Sequence, residues 1–202
     1  MKRIIAAALL GAFCAFGPSA LAQAQVEPSD ILFLKQEEKL ARDVYTKMYE
    51  KWGHATFKNI AVSEQRHMGA VDGLIARYGL VDDSSDDVSV FTLEEIQALY
   101  DALIAEGTQS LQAALGVGVK IELMDIEDLN QMLAVAKDRP IIRVLSNLLQ
   151  GSKNHIEAFN NALEHLAASD AGSVAVTCGQ TCGSRQSAGL PAGQGQQRRK
   201  GR

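Results

Sequence analysis

The chain has 202 residues, with 24 acidic side chains against 20 basic ones and a formal charge of −4. Hydrophobic residues make up 47% of it, which excludes a chain too polar to bury a core. The acid is concentrated in the body: residues 23–168 hold 23 acidic and 13 basic side chains, a net of −10, so there is no basic surface for nucleic acid.

The first 22 residues read as an export signal. Lys2 and Arg3 precede the apolar run "IIAAALLGAFCAF", and "PSALA" ends in the small-x-small pattern of a cleavage site. The run is too short to span a membrane comfortably. Cleavage is expected after Ala22, with Ala24 as the alternative, which makes the mature protein periplasmic or secreted. Cys14 follows Phe13 rather than a small residue, so no lipid anchor is expected.

Helical periodicity dominates residues 23–168 and strand signals are sparse. The first helix is expected from about Ser29, with Ser29 or Asp30 as its cap, to Trp52. The second runs from about Thr56 to Tyr78 and stops at Gly79. "LVDDSSDDVSV" then reads as a solvated acidic loop. It lacks the glycine and glutamate that a calcium-binding EF-hand loop requires at its sixth and twelfth positions. Thr92 and Glu95 form a capping box opening a short helix to about Glu106. Ser110 caps the next long helix, to about Ala136. Asp138-Arg139-Pro140 breaks it and Pro140 opens the last helix, expected to end near Ala168. Four long helices and a short one, joined by modest connections, predict an all-α antiparallel bundle. Residues 169–202, rich in Gly, Ser and Gln with the basic ending "RRKGR", are expected to be a disordered tail. Within it, Cys178 and Cys182 are placed to close a small disulfide loop in an oxidising compartment, a reactive redox pair being the alternative.

Steps of three and four give each long helix one core face. On the first it is Ile31, Leu34, Glu38, Ala41, Tyr45, Met48, Trp52. The alternative stripe Phe33, Glu37, Leu40, Val44 is poorer, so Glu38 is the preferred core acid. The second face is Ile60, Glu64, His67, Val71, Leu74, Tyr78. The third long helix shows Leu111, Leu115, Gly118, Glu122, Asp125, Leu129, Met132. The last shows Ile141, Leu145, Leu148, Ser152, His155, Phe159, Ala162, Leu166. Glu38, Glu64, His67, Glu122, Asp125 and His155 thus interrupt four apolar stripes near mid-helix. Buried carboxylates are very costly unless paired or coordinating a metal. The four stripes carry no Lys or Arg. Two divalent ions would cancel four carboxylates, and oxygen and imidazole donors suit iron or manganese. The six residues are therefore candidate ligands of a carboxylate-bridged dimetal centre. Gly116 and Gly118 are expected to let helices approach near Glu122. His54 and His165 sit near helix ends or on polar faces and receive no role.

At these positions the sequence resembles the ferritin-like superfamily and, within it, an uncharacterised family known as domain of unknown function 2202. The blocks "EEKLARDVY", "SEQRHM", "GVKIELMDIEDL" and "GSKNHIEAF" carry the resemblance, which spans about residues 30–166. Glu38 with Tyr45 is similar to the first-helix pattern of ferritins. Glu64-x-x-His67 matches the second-helix ligand pair, Glu122-x-x-Asp125 is similar to the acid pair of rubrerythrins, and His155 stands where the last-helix histidine belongs. One turn before that histidine such proteins carry a carboxylate; here the positions are Gly151 and Ser152.

The resemblance implies a ferritin-like antiparallel four-helix bundle with one short extra helix, holding two iron or manganese ions per chain. The reaction expected is oxidoreductase chemistry on dioxygen or peroxide. Tyr45 is then a hydrogen-bond donor or radical relay beside the site, or simply a satisfied core tyrosine. Metal binding without turnover, for sequestration, and a metal-free structural bundle are the alternatives. A homodimer through exposed Tyr and Leu positions stays open.

Overall fold

The computed structural model describes residues 25–179, with side chains through residue 169. The leader, Cys182 and the basic end of the tail lie outside the described residues, so the export signal, the disulfide loop and the disordered end remain expectations from sequence. The described residues form five helices: α1 Pro28–Trp52, α2 Ala55–Tyr78, α3 Glu94–Gly107, α4 Leu111–Val135 and α5 Arg139–Gly179. Among them no helix is long and apolar enough to cross a membrane.

The four long helices form a ring in the order α1, α2, α5, α4, and the diagonal pairs meet only through side chains in the middle. Two separate apolar clusters fill it. One contains Val44, Tyr45 and Met48 of α1, Phe57 and Ile60 of α2, Leu115 and Ile121 of α4, and Phe159 of α5. The other contains Ile31 and Leu34, Val71 and Leu74, Leu129 and Met132, and Leu145 and Leu148. Chain order across the clusters alternates around the ring, so every neighbouring pair is antiparallel. Between the clusters every helix contributes polar side chains to one buried layer: Glu38, Glu64, Glu122, Asp125, Ser152 and His155.

Local chemistry sets the helix ends. Gly53 closes α1 at φ 66° and Gly79 closes α2 at φ 61°, left-handed positions that glycine takes without strain. Ser110 caps α4 as expected, its hydroxyl accepting from the Ala113 N–H. Three expectations are corrected. The N-cap of α1 is Glu27, not Ser29 or Asp30; Pro28 takes the first helical position, and Asp30 accepts from the Glu27 N–H at 2.9 Å. The Thr92–Glu95 capping box does not form: α3 starts after Leu93, and the Thr92 hydroxyl instead accepts from Gln36 at 2.8 Å. The backbone of α5 stays helical to Gly179, past residue 168, through a stretch that contains no proline.

The 79–93 connection is not simply solvated. It crosses α1 over a second buried face, made of Lys35, Gln36, Lys39 and Asp43. Lys39 Nζ donates to Asp43 Oδ2 at 2.9 Å and to the carbonyls of Asp87 at 2.8 Å and Val90 at 3.0 Å. Asp43 also accepts from the Ser89 N–H at 2.9 Å, where Ser89 takes a left-handed φ of 68°. Lys35 pairs with Asp82 and, at 2.9 Å, with Asp72. The loop acid Asp82 thus neutralises Lys35, while Lys39 is paired by Asp43 of its own helix and capped by two loop carbonyls. The loop and α3 return the chain to the opposite end of the ring, and α3 lies against α1 and α4.

Candidate metal centre

Five of the six predicted ligands converge in the buried layer. Glu38, Glu64 and His67 form one group in which all ligand atoms lie within 4.8 Å of one another, and Glu64, Glu122 and His155 form a second. Glu64 belongs to both. Its Oε2 stands 2.7 Å from His67 Nδ1, and its Oε1 stands 2.8 Å from His155 Nδ1. Each histidine also faces a second carboxylate: Glu38 Oε2 lies 3.1 Å from His67 Nδ1, and Glu122 Oε1 lies 3.4 Å from His155 Nδ1. The two imidazole rings stack, with centroids 5.4 Å apart.

The sequence places these atoms simply. Glu64 and His67 are one helical turn apart and share a face. Antiparallel packing brings their level on α2 against Glu38 of α1 and His155 of α5, and Glu122 of α4 completes the ring. Glu38, Glu64 and Glu122 are each at most 1% exposed.

Several of these atoms have no hydrogen-bond partner. Glu38 Oε1, Glu64 Oε1, Glu122 Oε2, Asp125 Oδ2 and His155 Nδ1 are all buried in that state. Glu64 Oε1 and His155 Nδ1 are near neighbours, yet their contact is not directed as a hydrogen bond. Unpartnered buried acceptors are costly. Convergence of lone pairs from hard oxygens and imidazole nitrogens on common points is the donor chemistry of a metal site. The buried lysines do not relieve the acids: Lys35 and Lys39 are engaged by Asp72, Asp82 and Asp43. The residues present therefore fit a pair of bound cations.

The electrostatics agree. Burial pushes Glu38 and Glu122 above the usual carboxylate range and Asp125 well above it. Burial acts the same way on Glu64, but the imidazoles of His155 and His67 close beside it outweigh it and hold Glu64 low. The site carries more acid than two histidines neutralise.

Tyr45 is fully buried, and its hydroxyl donates to Glu122 Oε1 at 2.8 Å, with the Gly118 carbonyl 3.4 Å away. Its ring packs on Phe159 at 5.2 Å. Gly118 permits this: a Cβ there would stand 2.5 Å from the Phe159 ring. Gly116 has no such neighbour, so of the two expected close approaches only Gly118 makes one. Asp125 is buried at the same level but joins neither group.

Among the described residues of the last helix, His155 alone joins the two groups. The Ser152 hydroxyl donates to the Leu148 carbonyl at 3.3 Å, within its own helix. Gly151 has no room for a side chain, because a Cβ would stand 2.5 Å from His67 Nε2. His54 is the N-cap of α2, its Nδ1 accepting from the Thr56 N–H at 3.4 Å. His165 is exposed.

Comparison with known proteins places this geometry in context. The profile of an uncharacterized protein domain, DUF2202, matches residues 27–172. An uncharacterized protein of Methanocaldococcus jannaschii, MJ0754, is 41% identical over 140 residues, covering 69% of this chain and 76% of the relative. The crystal structure of the hypothetical protein MJ0754 superposes with a TM-score of 0.69 at 38% identity, covering 74% of this chain and 87% of that one.

Proposed function

The chain belongs to the family of the uncharacterized domain DUF2202, and from that premise we propose that it is an exported ferritin-like protein holding two iron or manganese ions and acting as an oxidoreductase on peroxide or dioxygen. One observation supports the reading above the others. Glu64 turns a different oxygen into each of two Glu–His groups. A single ion would need one such group; a shared carboxylate between two is the donor arrangement of a bridged pair.

Glu38, Glu64, His67, Glu122 and His155 would hold the ions, which, if redox-active, would supply electrons for reduction of an oxygen–oxygen bond. The chain's own residues set the conditions for that chemistry. Glu38 and Glu122 bring negative charge to the two ends, and His67 and His155 bring neutral nitrogens once deprotonated. Burial of the carboxylates excludes bulk water and strengthens every interaction inside. Tyr45 keeps its proton, because burial and the Glu122 charge push its hydroxyl well above its ordinary value. Its O–H donates a hydrogen bond to Glu122 Oε1 and so fixes the orientation of the carboxylate. With no carboxylate at Gly151 or Ser152, the His155 side carries one protein oxygen fewer than the ferritin-like pattern.

The test is repeated turnover. Full-length mature protein loaded anaerobically with ferrous iron is challenged with successive portions of hydrogen peroxide, with ascorbate as reductant. The proposal expects each portion to be consumed at a similar rate. Iron uptake with no recurring consumption would overturn the oxidoreductase reading and assign sequestration instead.

A further inference from the structure

A cleft of about 400 Å³ opens between α1, α3 and α4, on the side of the ring that α3 covers. Its walls are apolar, built from Phe33 and Leu40 of α1, Ile96 and Leu99 of α3, and Ile121 and Met124 of α4. The volume lies in the range of small-molecule pockets, which combine apolar walls with a few placed polar groups. Here those groups are almost all acids. Glu95, Glu127 and Asp128 line the cleft with Glu37, and no Lys or Arg is among its described lining residues. The most buried of the lining acids is Asp125, only 6% exposed, whose Oδ2 has no hydrogen-bond partner.

We propose that this cleft binds a small organic cation with an apolar body, its ammonium or comparable group facing the acids and its hydrocarbon or aromatic part against Phe33, Leu99 and Met124. A cleft lined by one sign of charge with low-dielectric walls concentrates ions of the other sign. The body's net charge of −10 repels anions over the whole approach. Phe33 adds apolar area to the wall. Apart from Asp125, no lining residue belongs to the candidate metal centre, so the proposal does not rest on the redox reading. The two meet at Asp125, which belongs both to the cleft wall and to the buried acid layer. A ligand seated here therefore lies beside the candidate metal site.

Calorimetric titration of the full mature chain compares three probes of one shape: 1-naphthylmethylammonium, 1-naphthylmethanol and 1-naphthoate. The cation is expected to bind about tenfold or more tighter than the alcohol, and the anion least well. Glu127→Gln/Asp128→Asn, a surface change, is expected to remove most of the preference for the cation. Leu99→Trp, which fills the cleft, is expected to abolish binding. Equal affinity for cation and alcohol, no binding by any probe, or cation binding untouched by either variant would overturn the proposal. Metal content measured on the same samples keeps the two readings separable: loss of probe binding with metal retained counts against the cleft alone.

Discussion

The imidazole of His67 occupies the space in which any side chain at position 151 would stand, with Nε2 only 2.5 Å from the position of a Cβ on Gly151. A candidate ligand on α2 is therefore positioned by the absence of a side chain on α5. Gly151→Ala sets two effects against each other. Alanine favours the helix by up to about 1 kcal/mol. Its methyl displaces His67, whose side chain is 12% exposed and has room to swing outward. The expected result is a metal-free melting temperature close to that of the wild type, with metal affinity about 10- to 100-fold weaker. Thermal melts beside metal titrations check both halves.

Tyr45→Phe keeps the ring that packs on Phe159 and removes the hydrogen bond that the hydroxyl gives to Glu122 Oε1. A buried acceptor is left with one partner fewer. The variant should fold and lose about 1–3 kcal/mol of stability in the metal-free state. Denaturant midpoints measured with unchanged slope would register the loss. Stability equal to that of the wild type would mean the hydroxyl contributes nothing to orienting Glu122.

The clamp under the 79–93 loop makes a separate prediction. Lys39→Met leaves Asp43 buried, with Arg42 at 2.7 Å as its remaining cation. The expected cost is about 3 kcal/mol. Hydrogen exchange should rise first in residues 85–93, whose backbone Lys39 and Asp43 hold. Uniform exchange across all helices instead would show that the loop is not a separate unit of stability.

Stability of the metal-free chain should fall as pH rises. Burial lowers the histidines, but Glu38 and Glu64 outweigh it to hold His67 up at about 10, and Glu122 and Glu64 hold His155 up at about 9. Both lie above the ordinary value of 6.5, so this contribution is complete below pH 6.5 and is lost as pH climbs through about 9 to 10. Burial raises Glu38 to about 8 and Glu122 to about 7, so their ionisation on the way up acts in the same direction. Glu64, held at about 2 against a burial that raises it, contributes above pH 4.5 and loses that contribution as pH falls through about 2. Metal binding needs neutral imidazoles and ionised carboxylates, and so releases protons. The stabilisation gained from added metal should therefore grow between pH 6 and 9 while the metal-free melting temperature drops. A metal-free chain that becomes more stable across that interval would contradict the account.

Most of the bundle and the five side chains that converge in the buried layer were legible because they obey one rule, the three-and-four step of a buried helix face. Glu38 outranked Glu37 by that rule, and it is Glu38 that meets His67. What the rule missed lies where two segments distant in sequence meet. Lys35, Lys39 and Asp43 repeat every four residues, which looks like a solvent face until the acid-rich loop is laid across it. The same crossing took Thr92 away from its capping box, because Gln36 reached its hydroxyl first. The loop's acids, set against lysines spaced by four on α1, were the available signal. Gly151 read as a missing carboxylate. The ring that fills its place comes from another helix, and nothing local to residue 151 announces it. The cleft was foreshadowed by the rejected stripe Phe33, Glu37, Leu40, three of whose members line it.

The central claim is that Glu64 joins two metal ions inside the bundle. Metal per chain, measured by mass spectrometry on protein purified without chelators or a metal-binding tag, tests it most directly when wild type is set beside Glu64→Ala. The account predicts about two iron or manganese ions per wild-type chain and loss of both in a variant that still folds. No bound metal in the wild type after anaerobic loading with iron, or an unchanged content in Glu64→Ala, would contradict it.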